Sequence, residues 1–227
     1  MYLSRSAPII SERKYFRLND TSANLLETRR EIHRFTYEAL KCGYVWETLA
    51  IERRNRSDES RDAGDLAVII ENAIADSFIL KWTFLFTDKD NDKHRWRTLF
   101  DKGDVDQIDS LLDAAIPDEC RERIREKYSR LNVHNIRTAA QNDLQRLVVT
   151  MGALRDKYIA HRDQDISHVS EPDSVAIVVL EAWWDRVFCS LVGIDDMGIQ
   201  TTLSTADLRR EVRQELPQVG ALWARAS

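Results

Sequence analysis

Apolar residues recur along most of this chain at intervals of three and four, the spacing that lines one face of an α-helix. Leu25, Leu26, Ile32, Phe35, Ala39 and Leu40 keep that rhythm. Asp20, Thr21 and Ser22 offer N-cap chemistry ahead of them, and Glu27 and Glu31 fall in the early turns. A helix is predicted over residues 21–54, with a bend at Gly43. The charged stretch 53–62 reads as an exposed corner. Leu66 to Phe86 is apolar over more than half its circumference and too long for a strand, so residues 62–87 are predicted as a core helix.

Asp88 to Lys93 is a polar loop without the glycine-centred spacing or closing glutamate of a calcium loop. Two short amphipathic pieces follow, one with Trp96, Leu99 and Phe100 and one from Val105 to Ile116, where Pro117 stops it. Asp118 to Leu131 is short, polar and basic. Helical spacing then runs from about Asn135, giving a predicted helix over 134–162. Pro172 suits a first helical turn. Val175 to Leu180 has the composition of a strand, but Trp183, Trp184, Val187, Phe188 and Leu191 continue it at helical spacing, so a helix is predicted over 172–192. A last amphipathic helix is predicted from Thr205 to Leu216, ahead of Pro217.

Seven Gly and four Pro in 227 residues are too few turn formers for a sandwich or barrel. The expected fold is all-α, an antiparallel bundle of four or five long helices plus short ones. Residues 1–19 read as an irregular lead-in, and 20–227 as a single domain without repeat or linker.

The net charge of −5 argues against a protein that binds nucleic acid by bulk charge. Of the 33 basic residues, 25 are Arg, which suits bidentate phosphate recognition but equally reflects an arginine-biased composition. Cys42, Cys120 and Cys189 are odd in number and far apart, so no disulfide framework or zinc site is expected. The first residues lack the apolar core of a signal peptide, and no apolar run reaches membrane-spanning length. A cytoplasmic protein that makes no membrane contact is expected.

One decapeptide stands apart, Leu154 to Asp163, with the wording Leu-Arg-Asp-Lys-Tyr-Ile-Ala-His-Arg-Asp. It resembles the R-x(4–6)-H signature of the HEPN superfamily, in particular its abortive-infection (AbiU-like) branch. Arg155 takes the place of the signature arginine, Asp156 of the polar residue after it, and His161 of the histidine, with Arg162 following. The phrase covers ten residues, and the order of helices around it extends the likeness loosely over 20–195. The resemblance implies a helical bundle that commonly dimerises, and in many members a metal-independent endoribonuclease.

RNA carries its own nucleophile, the 2′-hydroxyl. A catalyst must supply a proton shuttle that titrates near neutrality and a cation that offsets charge gathering on the phosphate oxygens. Histidine suits the first task and arginine the second. On the resemblance, His161 is the general base or acid, Arg155 the phosphate clamp, Asp156 and Arg162 supporting residues, and the products carry 2′,3′-cyclic phosphates. No metal or other cofactor is expected. On a straight helix with Met151 at zero, Leu144, Leu147, Val148, Leu154 and Tyr158 lie within about 60°, Arg155 at about +40° and His161 at about −80°. Arg155 and His161 then bracket the apolar seam about 9 Å apart along the axis. A homodimer with the seam facing its mate is expected to gather both pairs into one cleft.

The partners this reading implies are RNA, a second copy, and an antitoxin or another defence-system protein. Against it stands a non-catalytic helical interaction or nucleotide-binding module, in which Arg155, Asp156 and Asp163 form a solvated edge and His161 and Arg162 complement the helix dipole. The acidic net charge favours that alternative. Asp163 also departs from the HEPN toxins partnered with minimal nucleotidyltransferases, which carry a tyrosine at that place. Arg121 to Arg130 alternate with Glu119, Glu122 and Glu126 at the spacing of intrahelical pairs. His33 and His134 have no ligand-like neighbours in sequence, and Arg95, Trp96 and Arg97 read as ordinary packing.

Overall fold

A computed structural model describes residues 25–55, 65–87, 96–131, 140–156, 174–189 and 204–224. Seven α-helices account for most of them: α1 (Leu25–Asn55), α2 (Asp65–Phe86), α3 (Lys102–Ala114), α4 (Asp118–Arg130), α5 (Asp143–Leu154), α6 (Ser174–Ala182) and α7 (Thr205–Ala224). A 3-10 turn, Trp96–Leu99, precedes α3. Among the described residues there is no strand, and the expected all-α bundle is what the chain forms. No described helix is long and apolar enough to cross a membrane.

α1 and α2 form the central antiparallel hairpin. As α1 rises from Phe35 through Glu38 to Cys42, α2 falls from Phe84 through Lys81 to Ser77. The rings of Phe35 and Phe84 lie 5.9 Å apart, Lys81 Nζ is 3.5 Å from Glu38 Oε2, and Cys42 Sγ donates to Ser77 Oγ at 3.6 Å. α1 runs unbroken through Gly43. A Cβ there would stand 3.1 Å from both Phe78 and Ile177, so the missing side chain is what lets α1, α2 and α6 close on one another.

The core between these helices is aromatic. Trp82, Trp96, Trp183 and Trp184 are essentially inaccessible to solvent, together with Phe78, Phe86 and Phe188. Two indoles are tied to neighbouring helices: Trp82 Nε1 donates to the Ala176 carbonyl at 2.9 Å and Trp183 Nε1 to Thr36 Oγ1 at 3.3 Å. After Ala182 the helix widens into a π-type turn, Trp183–Phe188, where the Cys189 N–H reaches back five residues to the Trp184 carbonyl. The wider turn brings Trp183, Trp184, Val187 and Phe188 all into the core.

Several boundaries differ from the sequence reading. α5 begins at Asp143 and not near Asn135: Ala140 and Gln141 are non-helical, and Asn142 caps the helix by accepting from the Gln145 N–H at 2.8 Å. The α7 helix passes through Pro217 to Ala224, since a proline there removes only one backbone hydrogen bond from a helix whose inner face is already anchored by Leu208, Val212 and Leu216. The lead-in 1–19, the loop Asp88 to Lys93 and His134 fall outside the described residues.

Candidate functional site

The described part of the Leu154–Asp163 phrase is the end of α5. Leu144, Leu147, Met151 and Leu154 are buried against the chain's own α2, α3 and α4, so the seam expected to face a mate is already occupied within one molecule. Leu154 closes the helix, and at Arg155 and Asp156 the backbone widens into a π-type turn. Arg155 is half-buried. Its Nε donates to Asp156 Oδ1 at 2.7 Å and its Nη2 lies 2.6 Å from the same oxygen. Asp156 is exposed. The structure thus joins two of the four expected site residues. His161 and Arg162 lie outside the described residues, as do Lys157, Tyr158 and Asp163.

A wide turn advances through a smaller angle per residue than an α-helix. Phases counted from Met151 on a straight helix therefore apply along α5 as far as Leu154.

What fixes α5 in place is a charged clasp at its other end. The Asp143 carboxylate is almost wholly buried and receives three arginines. Arg125 donates through Nε at 2.9 Å and Nη2 at 2.8 Å, Arg121 through Nη1 at 3.0 Å, and Arg146 through Nη1 at 2.6 Å. Hydrogen bonds from Arg125, then from Arg121 and Arg146, hold the Asp143 carboxyl far below the ordinary aspartate range. Asp113 completes the clasp: it accepts from the Leu144 N–H at 2.8 Å and from Arg121 at 3.2 Å. Two residues of the basic run on α4, Arg121 and Arg125, are thus tied into the fold. Arg130 meets Glu126, an intrahelical pair its spacing predicts, and Arg121 meets Asp118 at 3.3 Å, but Arg121 and Arg125 reach across to Asp143 as well.

A second polar centre, invisible in the sequence spacing, joins α1, α6 and α7. Tyr44, buried, donates to Glu181 Oε1 at 2.8 Å. Arg209 lies 4.7 Å from the Tyr44 ring centre, 3.0 Å from Glu181 and 3.5 Å from Glu47. Burial raises the Glu181 carboxyl and, with the nearby Glu181 charge, raises the Tyr44 phenol far above its usual range. Asp185 accepts from the Thr205 N–H at 3.3 Å and from its hydroxyl at 2.5 Å, fastening the start of α7. Helix docking accounts for all of these contacts. His33 lies parallel to the Tyr37 ring and packs at a tilt against Trp184 and Phe188, and burial lowers its pKa.

Among the described residues, no three His, Cys, Asp or Glu side chains come close enough to hold a metal ion. No protein family, no curated protein and no solved structure matches the chain.

Proposed function

We propose that the chain is an endoribonuclease of the toxin or phage-defence kind, acting in the cytoplasm without a metal ion. In this reading His161 moves the proton and Arg155 meets the phosphate. The observation that carries it is the Leu154–Asp163 phrase, which resembles the HEPN signature, set at the end of a helix held at its other end by the Asp143 clasp. An all-α bundle is the fold which that resemblance implies.

Arg155 suits its part. A guanidinium has five N–H donors, and the grip of Asp156 uses two of them while fixing the plane of the fork. Because Asp156 is exposed, opening that pair costs about 1 kcal/mol or less, so a phosphodiester displaces or shares it readily. The bound phosphate would have its negative charge met by Arg155 as the 2′-oxygen attacks, with His161 taking the hydroxyl proton or returning one to the departing 5′-oxygen.

The test is incubation of the purified protein with total RNA in EDTA, beside His161→Ala. Cleavage that persists in EDTA, leaves 2′,3′-cyclic phosphate ends and disappears in the variant supports the reading. RNA left intact by the unaltered protein, or cut equally by His161→Ala, removes it. The second reading, a non-catalytic helical interaction module, is favoured by one observation: large apolar side chains stand exposed on the outer face of α2.

A further inference from the structure

We infer that Phe84 and Phe35 form a subsite that stacks an unpaired RNA base beside the phosphate met by Arg155. This subsite rests on the reading of the chain as an endoribonuclease, and extends it from the reacting phosphate to a base of the same strand. Phe84 is 43% exposed, although α2 buries Phe78, Trp82 and Phe86 on its other side. The Phe35 ring of α1 lies 5.9 Å from it at a tilt of 42°, and the exposed Arg34 stands over the Phe35 ring at 5.3 Å. Two rings on packed helices, backed by a guanidinium, present a π-face for a base and a cation for its phosphate.

The subsite is continuous with the end of α5. Ser77 and Lys81, which meet α1, lie about 20° and 60° to one side of Phe84 around α2, and Thr87 lies about 60° to the other. Thr87 is where α5 comes in: a Cβ on Gly152 would stand 4.0 Å from Thr87 Cγ2. Phe84 is one turn before Thr87 and Arg155 one turn beyond Gly152, about 5 Å of helix in each case. Phe84 and Arg155 thus flank one contact between α2 and α5, within reach of neighbouring nucleotides of one strand.

Charge agrees with the same occupant. Arg30 and Arg34 are both exposed and one turn apart on α1. The acids about a turn to either side of Phe35, Glu31 and Glu38, are each engaged within the chain, Glu38 with Lys81 at 3.5 Å. A strand laid over the rings therefore finds cations for its phosphates, despite the net charge of −5. A base inside a duplex has no free face to give an outward ring, so the subsite takes unpaired bases.

Fluorescence anisotropy of a labelled single-stranded oligoribonucleotide tests it, in the His161→Ala background so that the strand stays whole. Phe84→Leu keeps an apolar side chain but loses the ring, and is expected to weaken binding at least about fivefold, whereas Phe84→Trp should hold it. Ile69→Ala, on a residue that is also exposed but about 22 Å away along α2, should change nothing. A series of oligonucleotides, each lacking one base, reads the stacking itself. At the stacked position the abasic site should weaken binding about as much as Phe84→Leu does, and should cost nothing further in that variant. Far-UV circular dichroism confirms that the variants fold. Binding undiminished in Phe84→Leu, or no abasic position coupled to it, overturns the subsite whether or not RNA is cleaved. RNA bound through Phe84 but left uncut by the unaltered protein keeps the subsite and removes the endoribonuclease reading. A protein that binds no RNA overturns the subsite.

Discussion

Arg155 and Lys157 stand two residues apart with the same charge, yet their substitutions should part company. Arg155→Lys exchanges a planar fork for a point charge and should lower RNA cleavage about a hundredfold or more, whereas Lys157→Ala should leave the rate within about twofold. Initial rates on one labelled RNA decide this. His161→Ala should stop cleavage without moving the thermal midpoint. A loss of several kcal/mol of stability would instead mark a buried, hydrogen-bonded histidine and the interaction module. His33 makes a separate pH prediction. Burial lowers its pKa from 6.5, so the unfolded chain takes up its proton first as pH falls. Its contribution to stability is full above about pH 6.5 and is lost as pH falls through the lowered folded value. Urea unfolding between about pH 7 and pH 5 should show a smaller loss in His33→Phe than in the unaltered protein.

At the scale of elements, the clasp on Asp143 carries the largest single stake. Removing a buried carboxylate that receives three arginines takes the carboxylate from Arg125 and Arg146 and leaves Arg121 with Asp113 and Asp118, and Asp143→Ala should cost about 3 kcal/mol. Its carboxyl is held low, so its contribution is present above the unfolded value of 3.8 and lost only as pH falls below it. Acid unfolding curves of the two proteins should therefore converge at low pH. Gly43→Leu should cost about 2 kcal/mol or more by wedging α1 from Phe78 and Ile177, measured as a lower unfolding midpoint with native helix content. Helix identity was legible because each helix buries a stripe whose period is written in the sequence. The start of α5 was not, since residues from Asn135 onward keep helical spacing while the deciding event is the Asn142 cap. Nor was the clasp: Arg121 and Arg125 lie 22 and 18 residues from Asp143, and no spacing rule spans two helices and a connection. Of the site, Arg155 and Asp156 were legible as adjacent polar residues, but neither their ion pair nor the turn that widens beneath them has a sequence period to betray it.

For the whole molecule, the fold buries Trp46 in the same core as a group of four other tryptophans, Trp82, Trp96, Trp183 and Trp184, and the rings of Trp96 and Trp183 approach to 5.0 Å. Indoles so close and so rigidly held couple their electronic transitions, and the near-ultraviolet circular dichroism of this protein should be strong and structured. The emission should be blue-shifted, because water reaches none of those four rings. Both signals originate where α1, α2, α6 and the 3-10 turn meet, so they report the seating of the helices rather than their winding. A chain that kept its helices but loosened their contacts would lose the ellipticity and redden its fluorescence while its far-ultraviolet spectrum stayed the same. The protein carries, unlabelled, an optical gauge that separates packing from helix formation.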